Sequence, residues 1–159
     1  MTDHQSVVFF SQRLWGTTGA VLAALAVILG AYGAHGADDL LVRVHKSAEP
    51  KVVAGQEMPA SYKYLQDFRT AAAYQMTHAI AVILAGLLGR RGTARIFAHA
   101  AAGCFVAGVL LFCGSLYVLA MTGATWLGMV APFGGLSFIA GWILFAIAAA
   151  FPRSSPGRQ

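Results

Sequence analysis

Charged residues disappear from three long stretches of this chain, and those gaps dictate its architecture. Between Asp3 and Asp38 the only charged residue is Arg13, which leaves residues 14–37 uncharged. A second clear run, 70–89, lies between Arg69 and Arg90, and a third extends from Arg95 to Arg153. A transmembrane helix needs about 20 apolar residues, rising about 1.5 Å each, to cross about 30 Å of hydrocarbon. The first two runs fit one crossing apiece. The third would reach about 85 Å as a single helix, so it must fold back. Its break is legible at Met121-Thr122-Gly123-Ala124-Thr125-Trp126, two threonines and a glycine before a tryptophan suited to the interface. Three crossings there would take about 60 residues plus two turns, more than the run contains. The pattern predicts spans at 14–36, 71–89, 96–120 and 127–151. The fold class is all-α: an integral membrane four-helix antiparallel bundle in one domain, 1–159, with a short amphipathic helix in the first loop.

That loop, 37–70, is the one extended segment outside the spans. Residues 47–58 contain Pro50 and Gly55 and read as irregular. From Ser61 onward, Tyr62, Leu65, Phe68 and Ala72 recur at helical spacing while Lys63, Gln66, Asp67 and Arg69 take other faces. Ser61 after Pro59 has the chemistry of an N-cap. An interfacial amphipathic helix and a plain extension of the second span both satisfy this pattern.

Small residues recur every seven positions in each span: Gly19, Ala26 and Gly33; Ala72, Ala79 and Gly86; Ala101, Gly108 and Ser115; Gly134, Gly141 and Ala148. Lipid gives helices no hydrophobic reason to associate, so close backbone approach along such seams drives packing. The period favours left-handed crossings near +20°.

Composition agrees: 58% of residues are hydrophobic and 11% charged, with mean hydropathy +0.66, against about 25% charged in soluble domains. A cleaved signal peptide is the rival for the first span, since residues 21–30 form a short apolar core and Ala34-His35-Gly36 loosely resembles a cleavage site. The long preceding stretch, with one arginine and no basic cluster, favours retention. The formal charge of +5 forms no basic stripe on a soluble surface, so no nucleic-acid partner is expected. Instead, Arg13, Arg90, Arg91, Arg95, Arg153 and Arg158 fall on one side of a four-span topology, opposed only by Asp3. The other side mixes Arg43, Lys46, Lys51, Lys63 and Arg69 with five acids. The positive-inside bias then places both termini in the cytoplasm and the chain in the cell (inner) membrane.

All six acids lie outside the spans, so no intramembrane acid–base pair exists. The glycine-rich 30–36 run lacks the strand context of a dinucleotide site. No His-x-x-x-His or Cys-x-x-Cys spacing offers a metal site. Cys104 and Cys113 are about 13 Å apart along one helix and cannot bond to each other. What remains is polar and intramembrane. Tyr74 and His78 share a face of the second span, with Gln75 beside His78. His35 ends the first span, and Ser115 and Tyr117 lie near the outer end of the third. Alternating span direction thus gathers His35, Tyr74, Gln75, His78, Ser115 and Tyr117 in the outer half of the bundle.

Two readings of this cluster stand. Polar residues in a bilayer are costly and often functional, here by binding a proton, a headgroup or a small solute. They also fix helix register by cross-span hydrogen bonds worth about 1 kcal/mol each. Axial haem ligation by His35 and His78 is opposed by their unequal depth, and no cofactor is expected. Arg90, Arg91 and Arg95 are candidate contacts for anionic lipid headgroups, although topology alone accounts for them.

Several phrases carry a family resemblance: Gly33-Ala34-His35-Gly36, Tyr74-Gln75-Met76-Thr77-His78-Ala79, Gly114-Ser115-Leu116-Tyr117 with Met121-Thr122-Gly123, and Pro132-Phe133-Gly134-Gly135 with Phe138 and Gly141-Trp142. Together the chain resembles the small four-span proteins of the domain of unknown function 423 family, which include bacterial inner-membrane proteins and the animal transmembrane protein 256. The match runs through all four spans; residues 47–58 look longer than that family's usual loop. The resemblance implies a retained first span and a membrane location, and brings no reaction, cofactor or catalytic residue. The expected function is a non-enzymatic one, through contact with other membrane proteins, self-association or influence on the bilayer. The alternative is a small solute, proton or lipid transporter or binding protein using the outer-half cluster. An intramembrane enzyme ranks third, for want of a paired acid and base.

Overall fold

The computed structural model describes residues 3–88 and 92–151, with side chains for 12–88 and 93–151. Four helical stretches are long and apolar enough to cross a membrane: Gln12–His35, Ala60–Leu88, Thr93–Thr122 and Thr125–Ala150. Each contains most of one predicted span. The first belongs to α1, Asp3–His35. At Gly36 the axis breaks and a second helix, α2, covers Ala37–Val44. Ala37 and Leu41, one turn apart, are its buried positions, while Asp38 and Asp39 in the first turn and Arg43 in the last complement the helix dipole. The first loop thus does hold a short amphipathic helix, but at 37–44 and not at the expected position from Ser61 onward. Residues 61–70 take the other reading, a plain extension, because α3 runs unbroken from Ala60 to Leu88.

Residues 47–58, expected to be irregular, contain a hairpin. Strands β1 (Lys51–Val53) and β2 (Gln56–Met58) pair antiparallel, with Val53 opposite Gln56. The two residues between them, Ala54 and Gly55, both have positive φ, 51° and 81°. Such two-residue turns match the twist of the flanking strands.

The third span is α4 (Gly92–Gly108), a π-helical turn at Val109–Cys113, and α5 (Gly114–Thr122). The Gly114 amide reaches back five residues to the Val109 carbonyl, which inserts the extra residue. Gly123 then stops α5 in the left-handed conformation at φ 72°, with its N–H on the Leu119 carbonyl at 2.8 Å. A 3-10 turn, Thr125–Met129, leads into α6, Ala131–Ala150. Pro132 lies in the first turn of α6, where its missing N–H is harmless.

The second and third spans occupy the middle of the molecule. The first lies mainly against the second and the fourth mainly against the third, and the first and fourth scarcely meet. All twelve seam positions read from the sequence are buried. A Cβ on Gly134 would come within 2.3 Å of the Phe112 backbone nitrogen, and one on Gly108 within 2.4 Å of the Phe138 ring. On the other flank, a Cβ on Gly19 would approach the Ala79 carbonyl to 2.7 Å. The glycines thus let backbones and rings approach where any side chain would hold the helices apart. The two ends of the bundle are a loop end, carrying α2, the hairpin and the 123–130 turn, and a terminal end.

Candidate functional site

The intramembrane polar cluster begins with Gln75, which faces inward on α3 and is buried. Its Nε2 donates to the Leu22 carbonyl of α1 at 2.9 Å, and its Oε1 accepts from the Tyr117 hydroxyl of α5 at 3.1 Å. A carbonyl only accepts, so the amide orientation is fixed by its partners. One side chain thus ties together three spans.

His78, one turn along α3, serves the opposite flank. Its Nδ1 lies 2.8 Å from the Tyr74 carbonyl, and Trp142 Nε1 of α6 donates to its Nε2 at 3.2 Å. An indole only donates and a carbonyl only accepts. The ring is therefore neutral, with its proton on Nδ1. The face of the imidazole stacks on Phe138, with centroids 3.5 Å apart and planes 11° from parallel. Tyr74 itself is exposed at the side of the bundle and packs its ring on Phe112 and Phe138. Ser115 is buried and spends its hydroxyl locally, donating to the Phe112 carbonyl at 3.0 Å. That carbonyl lies in the π turn, where the helical bonding pattern is interrupted.

Four of the predicted residues therefore enter cross-span contacts: Gln75 and Tyr117 in one network, His78 and Tyr74 in the other. His35 does not join them. It is exposed at the last turn of α1, because the inward face there belongs to Gly33 and two residues advance a helix by about 200°. Arg90 and Arg91 lie outside the described residues. Arg95 is half-buried, and its Nε lies 3.4 Å from His99 Nε2. His99 Nδ1 accepts from Trp15 Nε1 of α1. A neutral imidazole has a single acceptor nitrogen, so the closer Trp15 contact is the hydrogen bond and Arg95 is only a neighbour.

Three further bonds, absent from the sequence expectation, complete the set. Ser137 of α6 donates to the Cys104 carbonyl at 2.8 Å. Arg69 Nε donates to the Gly33 carbonyl at 2.8 Å, serving one of the carbonyls orphaned where α1 ends. Its guanidinium also lies 3.9 Å from Asp38 of α2. His45, just past α2, is buried, packs against the Tyr64 ring with centroids 4.2 Å apart and planes tilted by 34°, and places Nε2 2.7 Å from the Ala120 carbonyl. It pins the loop to the end of the third span. A signal for one of these partners was present: Trp142 carries an N–H in the middle of an apolar helix, and such a donor needs an acceptor. Among the described residues, no buried side-chain nitrogen or oxygen lacks a partner, and no three His, Cys, Asp or Glu side chains converge.

Comparison with known proteins places the chain. A model of the family described as "Protein of unknown function (DUF423)" matches residues 29–135. The chain belongs to this family. It is 36% identical to a UPF0382 membrane protein of Staphylococcus epidermidis (strain ATCC 12228 / FDA PCI 1200), over 82% of this chain and 89% of that one. It is 35% identical to the UPF0382 membrane protein YwdK of Bacillus subtilis (strain 168), over 82% and 91% of the two chains. The UPF0382 membrane protein SH2409 of Staphylococcus haemolyticus is also 35% identical, over 85% and 93%. No solved structure matches the chain. Gln75, His78, Ser115 and Tyr117 fall within the DUF423 match, whereas Trp142 and Leu22 lie beyond its limits. The chain is thus a DUF423 membrane protein with four apolar helices of membrane-spanning length.

Proposed function

We propose that this DUF423 protein is a non-enzymatic component of the cell's inner membrane, with both termini in the cytoplasm, acting through contact with other membrane proteins, with itself or with the bilayer. One observation carries the reading: Gln75, His78, Ser115 and Tyr117 are bonded to other side chains of the bundle or to helix carbonyls. Gln75 has both amide atoms engaged, and His78 has both ring nitrogens engaged. A site for a solute or proton favours polar atoms without protein partners, whereas each amide atom of Gln75 and each ring nitrogen of His78 already has one. Register is what such bonds supply. The excess of arginine near the span ends of the terminal end supports the orientation.

Reconstitution tests it. Proteoliposomes containing the purified protein are expected to show no flux of protons, common cations or small solutes above empty vesicles. In-cell cross-linking of the full chain is expected to recover one reproducible membrane partner or a self-adduct. A flux that disappears in a folded His78→Ala variant overturns the reading and assigns the cluster to transport.

A further inference from the structure

A cavity of about 460 Å³ opens at the loop end, between α2, the hairpin and the start of α3. It belongs to none of the cross-span networks except through His45, and it does not depend on the function proposed above. Its wall is amphipathic. Val42, Pro50, Met58 and Pro59 give it apolar surface, while Lys46, Glu57, Ser61 and His45 give it charge and hydrogen-bonding capacity.

His45 is informative because its chemistry is constrained. It is 8% exposed, and its Nε2 faces the Ala120 carbonyl, which only accepts. Nε2 therefore carries a proton, and in the neutral ring Nδ1 presents a lone pair. Among the described residues Nδ1 has no hydrogen-bond partner, yet no fully enclosed side-chain nitrogen is unpaired. That nitrogen is therefore not fully enclosed; its edge of the ring lies over Gly123, where a Cβ would be 3.5 Å from Nδ1, and His45 also forms part of the cavity wall. The Glu57 carboxylate on the wall suits a ligand with N–H groups and positive charge. Lys46, on the same wall, has no hydrogen bond or ion pair among the described residues, and suits an anion. Ser61 adds a hydroxyl at the first turn of α3, where the helix dipole also favours negative charge.

We infer that this cavity binds a phosphoethanolamine group, with the ammonium held by Glu57 and the phosphate by Lys46 and Ser61. The cavity lies at the first turn of α3, the start of the second span, and Val42, Pro50, Met58 and Pro59 offer apolar surface to the first carbons of a glycerol backbone. The same chemistry is offered by a phosphatidylethanolamine headgroup and by free phosphoethanolamine.

Titration calorimetry on the full chain in detergent tests this, using dihexanoyl phosphatidylethanolamine, its trimethylated phosphatidylcholine counterpart, dihexanoyl phosphatidylglycerol and free phosphoethanolamine. The ethanolamine lipid is expected to bind about tenfold more tightly than the choline lipid, which lacks N–H donors, and than the glycerol lipid, which lacks the ammonium. Free phosphoethanolamine binding as tightly as the short-chain lipid identifies a soluble ligand; much weaker binding identifies the lipid. Glu57→Gln and Lys46→Gln change exposed residues, so both are expected to keep the wild-type melting temperature while weakening ethanolamine binding about tenfold. Equal affinity for all three lipids overturns the inference, as does wild-type binding by both variants.

Discussion

At the scale of single residues, the distance between helices rests on a few hydrogen atoms. Gly134 and Gly135 are neighbours on α6 with opposite surroundings. A Cβ at Gly134 meets the Phe112 backbone, whereas nothing lies within 4 Å of one at Gly135. Backbone in a packed span cannot swing aside as a side-chain tip can. Gly134→Ala is therefore expected to lower stability by about 1–3 kcal/mol, the usual range for overpacking. Gly135→Ala is expected to leave it unchanged or slightly raised. Unfolding titrations in mixed bicelles compare the two, and equal effects would refute the packing described for this seam. Gly134 was legible because seven-residue spacing marked it along with Gly141 and Ala148. His35 shows where such reasoning fails. Its depth could be read by counting along α1, but its direction depends on which face of α1 meets α3, and Gly33 takes that face.

At the scale of elements, the four spans were legible because the cost of burying charge in hydrocarbon leaves long gaps in the sequence. The loop was harder to read. In α2 only two positions are buried, so its amphipathic signal spans barely two turns. The hairpin has three-residue strands and puts Ala54 where Gly or Asn is usual, so neither composition nor alternation marked it. What holds these pieces is tertiary. His45 reaches the Ala120 carbonyl, and its ring fills the space over Gly123, where a Cβ would lie 3.2 Å from Cε1. His45→Ala is expected to leave the spans folded while amides of α2 and the hairpin exchange at least tenfold faster. That corresponds to about 1.4 kcal/mol, within reach of one lost buried hydrogen bond and its packing. Hydrogen exchange by mass spectrometry reads this directly, and unchanged protection over 37–58 would show that the loop is held in some other way.

At the scale of the whole molecule, hydrogen bonds join nearly every pair of neighbouring spans. Gln75 links the second to the first and to the third, Trp15 the first to the third, Ser137 the fourth to the third, and Trp142 the fourth to the second. The first and fourth, which scarcely meet, have no such bond among the described residues. The sequence placed Gln75, His78 and Tyr117 at one depth, since depth follows from counting residues. It did not reveal that Gln75 serves one flank and His78 the other, because that depends on the rotation of three helices about their axes. The central claim is that these intramembrane polar groups hold the spans in register. Its most direct test is a double-mutant cycle of His78→Ala and Trp142→Phe, measured by reversible unfolding in bicelles. The expected coupling is about 0.6 kcal/mol, with an upper bound of about 1.7 kcal/mol from comparable membrane helix pairs. Strictly additive losses, with no coupling beyond error, would contradict the claim.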